Sequence, residues 1–136
     1  MRNALKAVGA GAAAMAMVAI SVAPAHADSA WGGEYKGCSN YIVFDREGER
    51  MFGIGMMTCN KPQAIMRPEI IVWARNKIYK KIKGCVKAGR GPTYCQTDKL
   101  YVPYEPGYRY QAYNAGTTNF DYVWPTWTHA RVYVTR

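Results

Sequence analysis

Four cysteines, Cys38, Cys59, Cys85 and Cys95, constrain this chain more than any other feature. Their number is even, they form no C-x-x-C, and the only histidine downstream of residue 27 is His129. Zinc ligation is therefore set aside, and two disulfides are expected with no metal or other cofactor. Pairing Cys38 with Cys59 ties the ends of a hairpin, and pairing Cys85 with Cys95 closes a short loop containing Gly and Pro.

Disulfides persist in an oxidising compartment, and the N-terminus supplies the route there. Arg2 and Lys6 precede an uncharged Ala/Met/Val stretch that ends at Pro24 and a small-x-small site, Ala25-His26-Ala27. This is the layout of a secretory signal peptide over residues 1–27. The stretch is too diluted by Ala and Gly for a membrane span, so none is expected after cleavage. Its Ala-rich character suits a bacterium with a GC-rich genome. Residues 28–136 then form a single secreted domain, whose 18 aromatic residues can fill a core. Of 18 Lys and Arg, the leader takes Arg2 and Lys6, leaving 16 against 9 acids and a net charge of +7.

Period and turn chemistry point to an all-β fold. Tyr41-Ile42-Val43-Phe44 and Arg50 to Thr58 flank a polar turn, which gives a hairpin with Phe52, Ile54 and Met56 inward. Gly53 and Gly55, on the opposite face, leave room for a bulge or a close neighbour. Leu100 to Tyr104 and Tyr108 to Tyr113 bracket Glu105-Pro106-Gly107, a type II turn in which Gly takes positive φ. Alternation puts Tyr108, Tyr110 and Ala112 on one face, and later sets Val132 and Val134 against Arg131, Tyr133 and Thr135. Phe120 to Trp124 and Trp127 to His129 read as further short strands around the loop Asn114 to Asn119. The expected fold is a small antiparallel β-sandwich, immunoglobulin-like or Greek-key, of about seven short strands.

Residues 69–83 carry two patterns. A short helix is one, with Pro68 at its first position and Gly84 at its end. Two strands around Arg75-Asn76-Lys77 are the other, favoured by the β-branched and aromatic content. The strand pattern puts Ile70, Val72, Ala74, Ile78 and Ile82 on one side and a ladder of basic residues on the other.

That ladder is the leading candidate site. Lys77, Lys80, Lys81, Lys83, Lys87 and Arg90 surround a cysteine pair without one acid in the run, and Trp73, Tyr79 and Tyr94 keep them company. Like charges held together repel unless a partner supplies negative charge, so an acidic-faced protein is the expected partner. The plain alternative is that the lysines keep a sheet edge soluble. Trp124 and Trp127, spaced by Pro125, are a candidate aromatic platform for glycans or a cell surface. Asp28 to Gly33 reads as a loose arm anchored by Trp31.

The expected function is a protein-binding one, either an inhibitor or an adaptor subunit of an extracellular, antibacterial multiprotein complex. An enzyme is not expected, because oxidised cysteines remove thiol chemistry and the serines left are Ser29 and Ser39. One enzyme alternative remains. Thr128-His129-Ala130-Arg131-Val132-Tyr133 resembles the C-terminal strand of microbial ribonucleases, which implies His129 as general acid with Glu69 or Glu105 as base. A glycan or anionic cell-surface binder is the second alternative, and export disfavours any nucleic-acid partner of the transcriptional kind.

Overall fold

The computed structural model describes residues 28–86 and 91–135. The signal peptide expected over residues 1–27, and Lys87 and Arg90 of the basic run, lie outside the described residues. Twelve strands follow in order: β1 Asp28–Trp31, β2 Cys38–Glu47, β3 Arg50–Cys59, β4 Ile65–Arg67, β5 Glu69–Ala74, β6 Lys77–Ile82, β7 Cys85–Val86, β8 Tyr94–Gln96, β9 Leu100–Pro103, β10 Arg109–Asn114, β11 Thr117–Thr118 and β12 Ala130–Thr135. No helix among the described residues is long and apolar enough to cross a membrane.

The strands form an antiparallel sandwich. In the first sheet β1 pairs β2, β2 pairs β3, and β8 and β9 both pair β3. The second sheet runs β12-β10-β5-β6, and a small third sheet, β11-β4-β7, closes one end. Ile42, Phe44, Met51, Leu100 and Val102 of the first sheet meet Ile70, Val72, Tyr110, Ala112, Val132 and Val134 of the second in the main core. A satellite core at the closed end joins Cys38, Cys59, Cys95, Met57, Met66 and Trp124. Both expected disulfides are present, Cys38–Cys59 and Cys85–Cys95. They close loops with sequence separations of 21 and 10 residues, so each stabilises by about 3 kcal/mol through restriction of the unfolded chain.

The alternations of β10 and β12 appear as read, with buried and outward residues in strict succession. The Pro106-Gly107 turn is also as read: Gly107 has φ 76°, and Tyr108 N donates to Glu105 O at 3.1 Å.

Five expectations are corrected. Residues 69–83 contain no helix; β5 and β6 pair across Arg75-Asn76 with Ala74 opposite Lys77. That turn holds two residues, not three, so Ile78 and Ile82 fall on the outer face with Trp73, while Lys77, Tyr79 and Lys81 turn toward the core side. The inward face of β3 is the glycine face. A Cβ on Gly53 would meet Ile70 Cδ1 at 3.1 Å, and one on Gly55 would meet Asn114 Cγ at 3.0 Å. The glycines thus let the two sheets approach, whereas Met56 packs with Tyr41 and Val43 in a separate cluster on the other face. Residues 120–125 are not a strand, Trp127 sits in the 3-10 turn Thr126–Thr128, and Thr117–Thr118 within the expected loop pairs with β4. Lastly, Asp28 to Trp31 is no loose arm. It is an edge strand in register with β2, Asp28 opposite Phe44 and Trp31 opposite Tyr41.

One buried amide ties the two sheets. Asn114 is fully buried on β10; its Nδ2 donates to Tyr41 O at 3.0 Å and Met56 O at 2.8 Å, and its Oδ1 accepts from Glu69 N at 3.0 Å. Buried amides are held this way because an unmatched polar atom in a dry interior is costly.

Candidate functional site

The outer face of the second sheet is built by the registers just described. Side chains of paired residues share a face, so Ile82 lies beside Glu69, Lys80 beside Ile71, and Ile78 beside Trp73. Trp73 in turn neighbours Gln111, Ile71 neighbours Tyr113, and β12 adds Arg131 next to Tyr113 and Tyr133 next to Gln111. Ile78 is 57% exposed, Ile82 55%, Trp73 44% and Tyr133 66%. Apolar groups on a solvent-facing sheet are normally scattered; here Trp73 and Ile78 adjoin across β5 and β6.

Polar contacts fix this face. Trp73 Nε1 donates to Tyr113 Oη at 2.9 Å, and the Arg131 guanidinium sits 5.5 Å from the Tyr113 ring centre. Lys80 Nζ pairs with Glu69 at 3.2 Å. Arg109 and Arg131 have no acidic partner among the described residues. The face therefore carries three cations against one acid that is already engaged.

His129 borders the same face, its ring stacked on Tyr113 at 6.0 Å and 5°. Arg131 Nη2 lies 3.5 Å from His129 Nδ1; an arginine can only donate, which makes Nδ1 the acceptor. Burial lowers the imidazole pKa below its ordinary value, the Arg131 charge lowers it further, and Glu69 opposes both. A neutral imidazole with Nδ1 engaged is a poor proton donor at neutral pH. Glu69 is near enough to be felt but is paired to Lys80, and Glu105 pairs with Arg75 at the far end of the sandwich. Ser39 sits on β2, in the other sheet.

The basic ladder expected from the sequence divides in space. Lys80 alone joins the outer face. Lys77, Tyr79 and Lys81 lie on the core side of edge strand β6, where Tyr79 packs on the core and Lys81 Nζ reaches across to Lys99 O at 3.1 Å. Long stems let such lysines cover apolar surface while their heads stay wet. Lys83 follows the strand, its N–H bonded to Pro68 O at 3.2 Å. Tyr94 lies on β8, paired with Thr58 in the first sheet, and burial pushes its phenol pKa up.

The aromatic platform also divides. Trp124 is 5% exposed and belongs to the satellite core, while Trp127 is 58% exposed; Tyr35 stands between them, edge-on at 5.1 Å and 5.6 Å. Ile78 and Ile82, expected on the core side, are surface residues, whereas Tyr113 and Tyr133 lie on the outward faces that their alternation predicts. A two-residue turn at Arg75-Asn76 is the signal that finds the isoleucines, because it alone sets the parity of β6.

No family model matches the chain, and no match was found among curated proteins or solved structures.

Proposed function

We propose that this chain is a secreted, disulfide-braced protein-binding module that docks through the outer face of its four-stranded sheet, as an inhibitor or as an adaptor subunit of an extracellular antibacterial assembly. The carrying observation is the exposed pair Trp73 and Ile78, side by side on β5 and β6, with Ile82 beyond Lys80 and Tyr133 beyond Gln111 on the same face, set among Lys80, Arg109 and Arg131. Trp, Tyr and Arg are the residues that most often anchor protein interfaces. Isoleucines favour a protein over a glycan, since sugar rings stack on aromatic faces and gain little from aliphatic ones. The unmatched cations favour a partner with an acidic rim.

Size sets a condition on the contact. Four strands about 4.8 Å apart and about six residues long give a face of about 15 by 20 Å. A standard interface buries about 800 Å² per partner, so the contact must run past this face over the β6 edge and its lysines. Those lysines also guard the edge against unwanted strand pairing, and the two roles are compatible. The ribonuclease alternative draws no support from a neutral His129.

The test is capture from culture supernatant with the chain as bait, read by mass spectrometry. Trp73→Ala with Ile78→Thr should lose the captured protein while unfolding unchanged. Reversal of Lys80, Lys81, Lys83 and Arg90 to Glu should weaken capture. Equal yields from all three baits refute the assignment.

A further inference from the structure

We infer that the loop 119–124 is a lipid-contacting tip, and that through it the protein docks on the surface of an anionic bilayer. Phe120 is 85% exposed, Val123 84% and Tyr122 65%. Phe120 and Val123 are the most solvent-directed of the large apolar residues described, and they share one loop with Tyr122, which meets the rim of the sheet face where it lines a cleft with Ile82.

The loop holds these side chains outward by construction. At its entry Asn119 adopts φ 55°, its N–H bonds Ile65 O at 2.9 Å, and its Oδ1 accepts from Ala64 N at 2.9 Å. Asp121 N donates to Thr118 O at 3.1 Å, and Asp121 pairs with Lys36 at 2.7 Å. The Arg67 guanidinium lies 4.3 Å from the Tyr122 ring centre. At its exit Trp124 is locked in the satellite core. A segment pinned at both ends and in the middle keeps Phe120 and Val123 in water, at a cost that a wet surface does not repay.

Polarity along the loop and its base follows that of a bilayer interface. The two residues without a polar atom project most. Tyr122 and Trp127, aromatic with a polar handle, come next, as at headgroup level. Behind them stand cations: Arg67, Lys61, whose carbonyl accepts from the Gln63 amide that in turn bonds Asn119, and Lys83 beside Ile82, which lines one cleft with Arg67 and Tyr122. Of the acids at this end, Asp121 is neutralised by Lys36 and Glu69 by Lys80, leaving Glu34. The arrangement suits a negatively charged surface into which a small apolar tip can sink, and lipid headgroups provide both.

The experiment is co-sedimentation of the processed chain, expressed with its leader, with vesicles of phosphatidylcholine alone or mixed with phosphatidylglycerol. The wild type should partition onto the mixed vesicles and lose that preference in high salt. Phe120→Ser with Val123→Ser should lower partitioning at least about tenfold, without a change in thermal unfolding because both positions are exposed. Lys61→Gln and Lys83→Gln should each lower it about fivefold. Trp73→Ala with Ile78→Thr should leave it unchanged, which separates this tip from the protein-docking face. Absence of an anionic preference overturns the inference, as does wild-type partitioning by the tip variant; an apolar pocket in a protein would then be the occupant of the tip. An equal loss in the sheet-face variant also overturns it.

Discussion

The close approach of the two sheets around Gly55 and Asn114 makes a quantitative test of how this sandwich is held. Asn114→Ala removes two donors from Tyr41 O and Met56 O and leaves Glu69 N without its acceptor. At about 1 kcal/mol for each net hydrogen bond, the loss is about 3 kcal/mol. Gly55→Ala places a Cβ 3.0 Å from Asn114 Cγ and 3.1 Å from its Oδ1. The amide cannot step aside without breaking its bonds, so overpacking costs about 2 kcal/mol. When Asn114 is already Ala the obstructing atoms are gone, and Gly55→Ala becomes neutral or slightly stabilising through the unfolded chain. The double variant should therefore be more stable than the sum of its parts by about 2 kcal/mol. Equilibrium urea unfolding with both disulfides intact measures all four proteins. Coupling below about 0.5 kcal/mol would show that the sheets do not approach one another as described.

Two further outcomes follow from the site geometry. Trp124→Ala should cost about 4 kcal/mol as a core truncation. Trp124→Phe should cost far less, because the buried Nε1 has no hydrogen-bond partner to lose, and Trp127→Ala should change thermal stability little. Equal costs at the two tryptophans would contradict their different burial. His129 has a folded pKa below its ordinary 6.5, so the unfolded state takes up the proton first as pH falls. The stability tied to this group is present above about pH 7, falls as pH drops through the ordinary value, and levels off below the folded pKa. Melting curves of wild type and His129→Gln should thus diverge between about pH 7 and 5, with the variant less sensitive; parallel curves refute the shift.

Much of the sandwich was legible in the sequence because its signals are local. Arg109 to Asn114 and Ala130 to Thr135 alternate cleanly, Pro106-Gly107 dictates its own turn, and of the three pairings that four cysteines allow, the favoured one is the one present. The hidden parts depend on partners distant in the chain. Asp28 to Trp31 is too short to show a period, and only pairing with β2 makes it a strand. On β3 both faces are apolar, so side-chain size misled: Phe52, Ile54 and Met56 are the bulkier set, yet the core takes the face whose glycines admit the opposite sheet. At Arg75-Asn76 a single residue of turn length decides whether Ile78 and Ile82 are core or surface. Arg75 has φ 58°, a conformation that glycine would adopt at less cost, so nothing in the local sequence marks the tighter turn. The candidate site was obscured for the same reason. Its cationic character was readable, but its isoleucines were credited to the interior.

Both cross-links, Cys38–Cys59 and Cys85–Cys95, gather at one pole of the molecule, with Trp124 and the capping β11-β4-β7 sheet. The opposite pole, where the chain reverses at Gly48, Arg75 and Pro106, has only side-chain stacking and ion pairs such as Arg46 on Tyr104 and Arg75 with Glu105. Heat or tension should therefore unzip the domain from that compliant pole, leaving the covalently clamped one as the last to yield. The proposed lipid-contacting tip rises from the clamped pole, so it should keep its shape while the rest of the domain has begun to breathe.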